Sequence, residues 1–151
     1  MERDTAQRRA IKQAFSDAGR PLGPQEILAA AGKAIDGLGI ATVYRTINGL
    51  IADDWLVEVQ IPGDSSRYEV AGLKHHHHFA CRSCERVFDV PGCAHHLDAR
   101  LPSGFNVEAH DVMLYGTCDT CAAGGKGKPA KTAAKTPAKP AANVRRRSGR
   151  R

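Results

Sequence analysis

The sequence predicts an α+β fold: an N-terminal winged helix-turn-helix domain, then a small α/β metal-binding module, then a disordered basic tail. Three observations carry this. Helix-period apolar patterning through residue 51 gives way to a strand-turn-strand pattern that ends near residue 70. Two C-x-x-C pairs and all seven histidines fall between residues 75 and 121. From Gly125 to Arg151 there are ten Lys and Arg, no acid, and almost no side chain able to enter a core.

Thr5 can cap a first helix through Ala18, because Ala6, Ala10, Ile11, Ala14, Phe15 and Ala18 recur at three-to-four spacing before Gly19 stops it. Pro24 opens a second helix that runs to Gly32. Thr42 opens a third, with Val43, Ile47, Leu50 and Ile51 on one side. Trp55–Ile61 reads as a strand, Pro62–Ser66 as a turn, and Arg67–Val70 as the returning strand. A hairpin directly after a helix-turn-helix is a wing, so residues 1–70 read as a winged helix. Residues 71–74 are a hinge. The module over 75–124 then holds a histidine-rich strand, a strand near Arg86–Val90, a helix near Cys93–Arg100 and a long strand near Phe105–Tyr115. Residues 125–151 form the tail.

The 151 residues carry a net charge of +6, but unevenly: residues 1–50 carry +2, 51–124 carry −6 and the tail +10. The tail alone makes the chain basic, so the overall charge is no argument for nucleic acid by itself. A 42% hydrophobic but only 5% aromatic composition predicts small cores. No apolar run approaches the roughly 18 residues of a membrane span, and the polar N-terminus has no apolar leader. A cytoplasmic protein is therefore expected. Its thiols stay reduced, and paired cysteines then point to metal rather than disulfides.

Cys81-x-x-Cys84 and Cys118-x-x-Cys121 each place two thiolates on one tight turn. Four such sulfurs satisfy tetrahedral Zn²⁺ with no open position, which marks a structural site. The 33 residues between the pairs leave room for a strand-helix-strand excursion. Two unrelated turns or a redox pair are the alternatives. A zinc deaminase is disfavoured, since Ala80 and Thr117 stand where proline is expected and no His-x-Glu occurs. The run His75-His76-His77-His78 could be a solvated polar stretch or a tag, but it is internal and leads straight into Phe79-Ala80-Cys81. In a strand, His75 and His77 face one way, His76 and His78 the other. Each pair is then a metal clamp, and two further sites on opposite faces are expected. In the third helix, Thr42, Tyr44, Arg45 and Asn48 lie away from the apolar side. Arginine can bind guanine or phosphate, and tyrosine can contact phosphate or a thymine methyl. The alternative is a winged helix that serves protein interaction.

These segments resemble, in order, the ferric uptake regulator superfamily of metal-sensing repressors. The matching stretches are T-A-Q-R-R, G-L-G-I-A-T-V-Y-R-T-I-N-G-L, R-Y-E-V, H-H-H-H-F-A-C-R-S-C, V-F-D-V and H-D-V-M-L-Y-G-T-C-D-T-C, spanning about residues 3–121. The resemblance implies that the α/β module is a dimerisation domain, and that a metal-loaded homodimer binds a palindromic double-stranded DNA operator. It implies structural zinc on Cys81, Cys84, Cys118 and Cys121. It implies an interdomain sensing site at His76 and His78 with Glu69 and Asp89, and a third site at His75, His77 and His110. His96 stands at the acidic position of that third site. Tyr44 and Arg45 match the DNA-contacting pair, and Arg8 lies in the family's DNA-facing N-terminal segment.

Iron and peroxide sensors of the family usually supply a histidine before helix two, and this chain has none before residue 75. Zinc sensors use a ligand at the end of the first wing strand, where Glu58 stands. The regulatory set is thus drawn from Glu58, Glu69, His76, His78 and Asp89, with Zn²⁺ favoured over Fe²⁺. An iron or peroxide sensor is the alternative within the family. A zinc-dependent hydrolase, which lacks its H-E-x-x-H here, and a metal-storage protein are the alternatives outside it. No small-molecule substrate and no membrane partner are expected. Cys93, the odd cysteine, reads as a small half-buried residue at a helix start rather than as a ligand or a redox switch.

Overall fold

The computed structural model describes residues 5–93 and 102–125. The fold is α+β. Three helices come first: α1 (Ala6–Ala18), α2 (Pro24–Ala31) and α3 (Ile40–Ala52). Thr5 caps α1, its side chain accepting from the Arg8 backbone N–H. Gly19 ends it at φ 55°, a left-handed cap that glycine adopts without a Cβ clash. Pro24 opens α2, and the Glu26 carboxylate accepts from the Gly23 N–H at 3.0 Å. The inward faces of the three helices, chiefly Ile11, Phe15, Ile27, Val43, Ile47 and Leu50, form the main core.

The wing follows as β1 (Leu56–Val59) antiparallel to β2 (Arg67–Val70). Leu22 adds a bridge to Tyr68, exchanging two backbone hydrogen bonds of 2.9 Å. The pleat gives β2 two different faces. Tyr68 and Val70 pack on the helical core, whereas Arg67 and Glu69 are buried on the other side. That side meets a second sheet of order β4-β3-β5, made from β3 (His76–Cys81), β4 (Val87–Pro91) and β5 (Met113–Gly116). β3 is central, antiparallel to β4 and parallel to β5.

Apolar and polar contacts join wing and sheet. Val59, Ile61 and Val87 form a small apolar cluster, with Ala80 and Met113 against it. Arg67 donates to the Ser65 carbonyl, to Asp64 and to the Glu85 carbonyl in the turn after Cys84. Between them, Ala71 and Gly72 form the turn at the expected hinge, with Gly72 at φ 79°.

The long strand expected near Phe105–Tyr115 shrinks to Met113–Gly116. The ladder to β3 begins at the pair His78–Met113, and residues 105–111 find no strand partner among the described residues. Phe105 and Val107 are left 68% and 54% exposed, so their alternation has no buried face to fill. Cys93 is not helical, and the rest of the helix expected near Cys93–Arg100 lies outside the described residues. So does the tail from residue 126. Among the described residues, no helix is long and apolar enough to cross a membrane.

Candidate metal centres and nucleic-acid interface

Among the described residues, three groups of metal-ligating side chains converge, each with its donor atoms within 4.8 Å of one another. The first is Cys81, Cys84, Cys118 and Cys121. Cys81 ends β3, and Cys118 immediately precedes α4 (Asp119–Ala122), which carries Cys121. Glu85 adopts φ 60° as the chain turns back behind Cys84, and its N–H donates to the Cys81 carbonyl. Sγ of Cys84 and Cys118 lie 3.9 Å apart, close to the sulfur spacing of about 3.8 Å that tetrahedral Zn–S bonds of about 2.3 Å require. Burial raises the Cys81 thiol, but the N–H groups of Cys118, Cys84 and Ser83 outweigh it and bring the thiol down to about 6. Cys84 is pushed up to about 12 by burial and by the neighbouring cysteines. Four thiolates cannot share so small a volume without a cation, and a dication removes that penalty.

The second group joins both parts of the fold: Glu69 from β2, His76 and His78 from β3, and Asp89 from β4. Asp89 stands opposite His78 in the ladder. Oε2 of Glu69 is 3.2 Å from His76 Nε2 and 3.0 Å from His78 Nε2, and both nitrogens lie 3.8 Å from Asp89 Oδ1. His76 Nδ1 lies 2.8 Å from the Lys74 carbonyl. A proton on Nδ1 donated there leaves Nε2 with its lone pair aimed into the group. Burial pulls His76 down, but the Lys74 carbonyl, Glu69 and Asp89 together raise it. Asp89 is raised by burial and by the Glu69 charge, and its Oδ1 is buried with no hydrogen-bond partner among the described residues. The arrangement holds two carboxylates against each other at a depth where a cation is the natural counterweight.

Glu58 stands apart from this group, contrary to expectation. It pairs opposite Tyr68, so it shares Tyr68's face of the wing, while Glu69 occupies the other. It is exposed there. Burial raises Tyr68, and the charge of Glu58 adds to that shift.

The third group lies on the opposite face of β3, as the alternation of the run requires. His75, His77 and His110 pack with ring centroids 4.8–5.1 Å apart. Burial, with His75 and His110 nearby, lowers His77 and favours its neutral ring. The fourth member is Cys93, for which the sequence favours a structural role over a ligand. Its signal was faint: a cysteine outside either C-x-x-C, yet inside the segment that holds every histidine. His96, expected in that place, lies outside the described residues.

On α3, Val43, Ile47 and Leu50 are buried, which turns Tyr44, Arg45 and Asn48 outward and leaves Thr42 half-exposed. Arg8 departs from its expected place on this surface. It is buried and ion-paired with Asp53, the residue that caps the C-terminus of α3. Its side chain braces α1 to the end of the helix; a carboxylate at that end of the dipole gains from such a partner.

The order of elements and the three donor groups define the class. The family model for the ferric uptake regulator family matches residues 2–115. The chain belongs to the ferric uptake regulator family, whose members are DNA-binding transcriptional regulators and not enzymes. It is 31% identical over 87 residues to the ferric uptake regulation protein of Campylobacter jejuni, a match covering 56% of this chain and 55% of that protein. The chain thus spans little more than half the length of this relative. Against ferric uptake regulation protein 2 of Mycolicibacterium fortuitum it is 30% identical over 124 residues, covering 79% of this chain and 85% of that one. The fold is also that of the Helicobacter pylori ferric uptake regulator Fur, at a TM-score of 0.61 and 22% identity over 80% of this chain and 82% of that chain. That structure is described as revealing three functional metal binding sites.

Proposed function

We propose that this chain is a cytoplasmic, metal-responsive repressor that binds a palindromic operator as a homodimer, with zinc as the sensed metal. One observation carries the reading: Glu69 from the wing shares a donor group with His76, His78 and Asp89 from the second sheet. When ligands for one ion come from both sides of a joint, the closed arrangement binds the ion better, and the ion stabilises that arrangement in return. In a two-fold dimer this fixes the separation of the two α3 helices at about one helical turn of DNA or a multiple of it. Cys81, Cys84, Cys118 and Cys121 would hold structural zinc. The imidazole and carboxylate donors of the regulatory group suit zinc and iron alike. The absence of histidine before residue 75 supports zinc over iron.

A second copy has an obvious place to dock. β5 is an edge strand with Leu114 and Tyr115 exposed, and Phe105 and Val107 lie uncovered beside it in sequence. An edge of this kind invites strand pairing with a partner.

The test is operator binding titrated against buffered free Zn²⁺, Fe²⁺ and Mn²⁺. Zn²⁺ is expected to raise operator affinity at least about tenfold, near 1.4 kcal/mol. If Fe²⁺ does so and Zn²⁺ does not, the chain is the iron sensor; if no ion does, metal-gated repression is wrong. Arg45→Ala is expected to cost about 1–3 kcal/mol of operator affinity while metal stoichiometry stays unchanged. Footprinting and metal analysis on the same samples check it.

A further inference from the structure

We propose that Cys93 supplies a thiolate to a third metal site, completing a His75, His77, His110 and Cys93 set that takes a borderline or soft divalent cation such as Zn²⁺ or Co²⁺. The family resemblance points to residue 96 for the fourth ligand; the described geometry points instead to residue 93. The assignment does not depend on the regulatory reading.

Three segments converge there. His75 immediately precedes β3 and His77 lies in it, Cys93 follows β4, and His110 precedes β5. All four donor atoms fall within 4.8 Å, and Cys93 Sγ lies 3.1 Å from His110 Nε2. Nitrogen and sulfur ligands of one tetrahedral ion sit about 3.3–3.8 Å apart, so little movement is needed to close the set on an ion. A second observation is independent of the cysteine. His77 is 3% exposed, and neither of its ring nitrogens has a hydrogen-bond partner among the described residues. Buried polar atoms in native proteins are nearly always satisfied, so an orphaned imidazole facing three other donors marks a place where something else accepts its lone pair. His75 is exposed, which leaves the group open to entry from solvent.

The donor chemistry narrows the ligand. Three imidazoles and a thiolate suit Zn²⁺, Co²⁺ or copper, and disfavour Mg²⁺ and Mn²⁺, which prefer oxygen. The regulatory group has only nitrogen and oxygen donors. The two faces of β3 would then differ in metal preference because one of them reaches a sulfur.

Sulfur also makes the test selective. Full-length protein is prepared reduced and oxygen-free with Zn²⁺ in the four-cysteine site, then titrated with Co²⁺, and zinc retention is verified by metal analysis. Zn²⁺ bound to cysteines is silent in the near ultraviolet, and the regulatory group offers no sulfur. A sulfur-to-cobalt charge-transfer band therefore reports on Cys93. The band is expected to saturate by about two equivalents of Co²⁺ per chain, since the regulatory group also takes cobalt, and to be absent in Cys93→Ser and Cys93→His. Cys93→His should bind as many equivalents of Co²⁺ as the parent, showing that the site survives with nitrogen in place of sulfur. Loss of an outer-shell partner already weakens metal sites by about tenfold or more, so Cys93→Ser should weaken this one at least that much. His96→Gln should keep the band. The proposal is overturned if the parent protein shows no band, if the band persists in Cys93→Ser, or if His96→Gln abolishes cobalt binding there while Cys93→Ser does not. Operator binding measured on the same samples separates the two readings: a band without metal-dependent operator binding sinks the regulatory function and leaves this site standing.

Discussion

Cys81→Ser will lose the most tightly held metal and unfold the sheet of β3, β4 and β5. Cys81 is the last residue of β3, is 2% exposed, and accepts a hydrogen bond from the Cys118 N–H at 3.3 Å. It thus ties the central strand to the segment that carries the second cysteine pair. The apolar core around it is slight, with Phe79 and Phe88 the aromatic side chains packed against the sulfur group. A module this small depends on its metal for folding energy. Apparent contributions of structural zinc reach about 10–16 kcal/mol in zinc-finger peptides, so the loss here is expected to be several kcal/mol at least. Metal analysis and thermal unfolding of the dialysed variant measure it. A variant that keeps its full metal content and melts with the parent protein would show that the four sulfurs do not form one closed site.

Glu69→Gln will separate metal binding from operator binding. The glutamine keeps the size of the side chain but gives up the charge, and its amide is a poor ligand. Glu69 is the member of the regulatory group that comes from the wing, and one of its oxygens faces both histidines. With the carboxylate gone, His76, His78 and Asp89 still offer a site on the second sheet alone. Metal binding there is expected to weaken, and metal is expected to change operator affinity by less than about twofold, against about tenfold in the parent. Glu58→Gln is the internal control. Glu58 lies on the other face of the wing, so that variant should respond to metal as the parent does. A normal response in Glu69→Gln, or its loss in Glu58→Gln, would mean that the wing is tied to the sheet through a different carboxylate. Neither variant should disturb the four-cysteine metal, which serves as the folding check.

Much of this architecture was legible in the sequence because the governing signals are local. Thr5, Gly19 and Pro24 mark helix ends through chemistry that acts within one turn. Alternation along the histidine run separates its two faces before any tertiary contact is known. Contacts between distant segments were not legible. The burial of Arg67 beside Glu69 has no local signal, because it depends on a second sheet covering that face of the wing. Glu58 and Glu69 sit on facing strands, and the register of the ladder, which sequence does not reveal, puts them on opposite sides. Arg8 looked like a surface cation, yet Asp53, 45 residues away, draws it inward. The alternation of Phe105 and Val107 promised a strand, but a strand needs a neighbour, and β3 ends its pairing with β5 at His78. Cys93 joined a donor group only when β4 delivered it beside His110.

The four histidines of the run are interchangeable in chemistry and differ only in address. Sliding the strand by one residue would put a histidine where a histidine had been at three of the four positions, and the two faces would trade donors almost unnoticed. The run therefore cannot define its own register. That job falls to the residues next in the strand: Phe79 opposite Phe88, Ala80 opposite Val87, and Cys81 held by its sulfur group. The cysteine site acts as the origin of a ruler, and even or odd distance from it decides which face each imidazole serves. A one-residue insertion between His78 and Cys81 would leave every ligand present and exchange the two imidazole pairs between the faces.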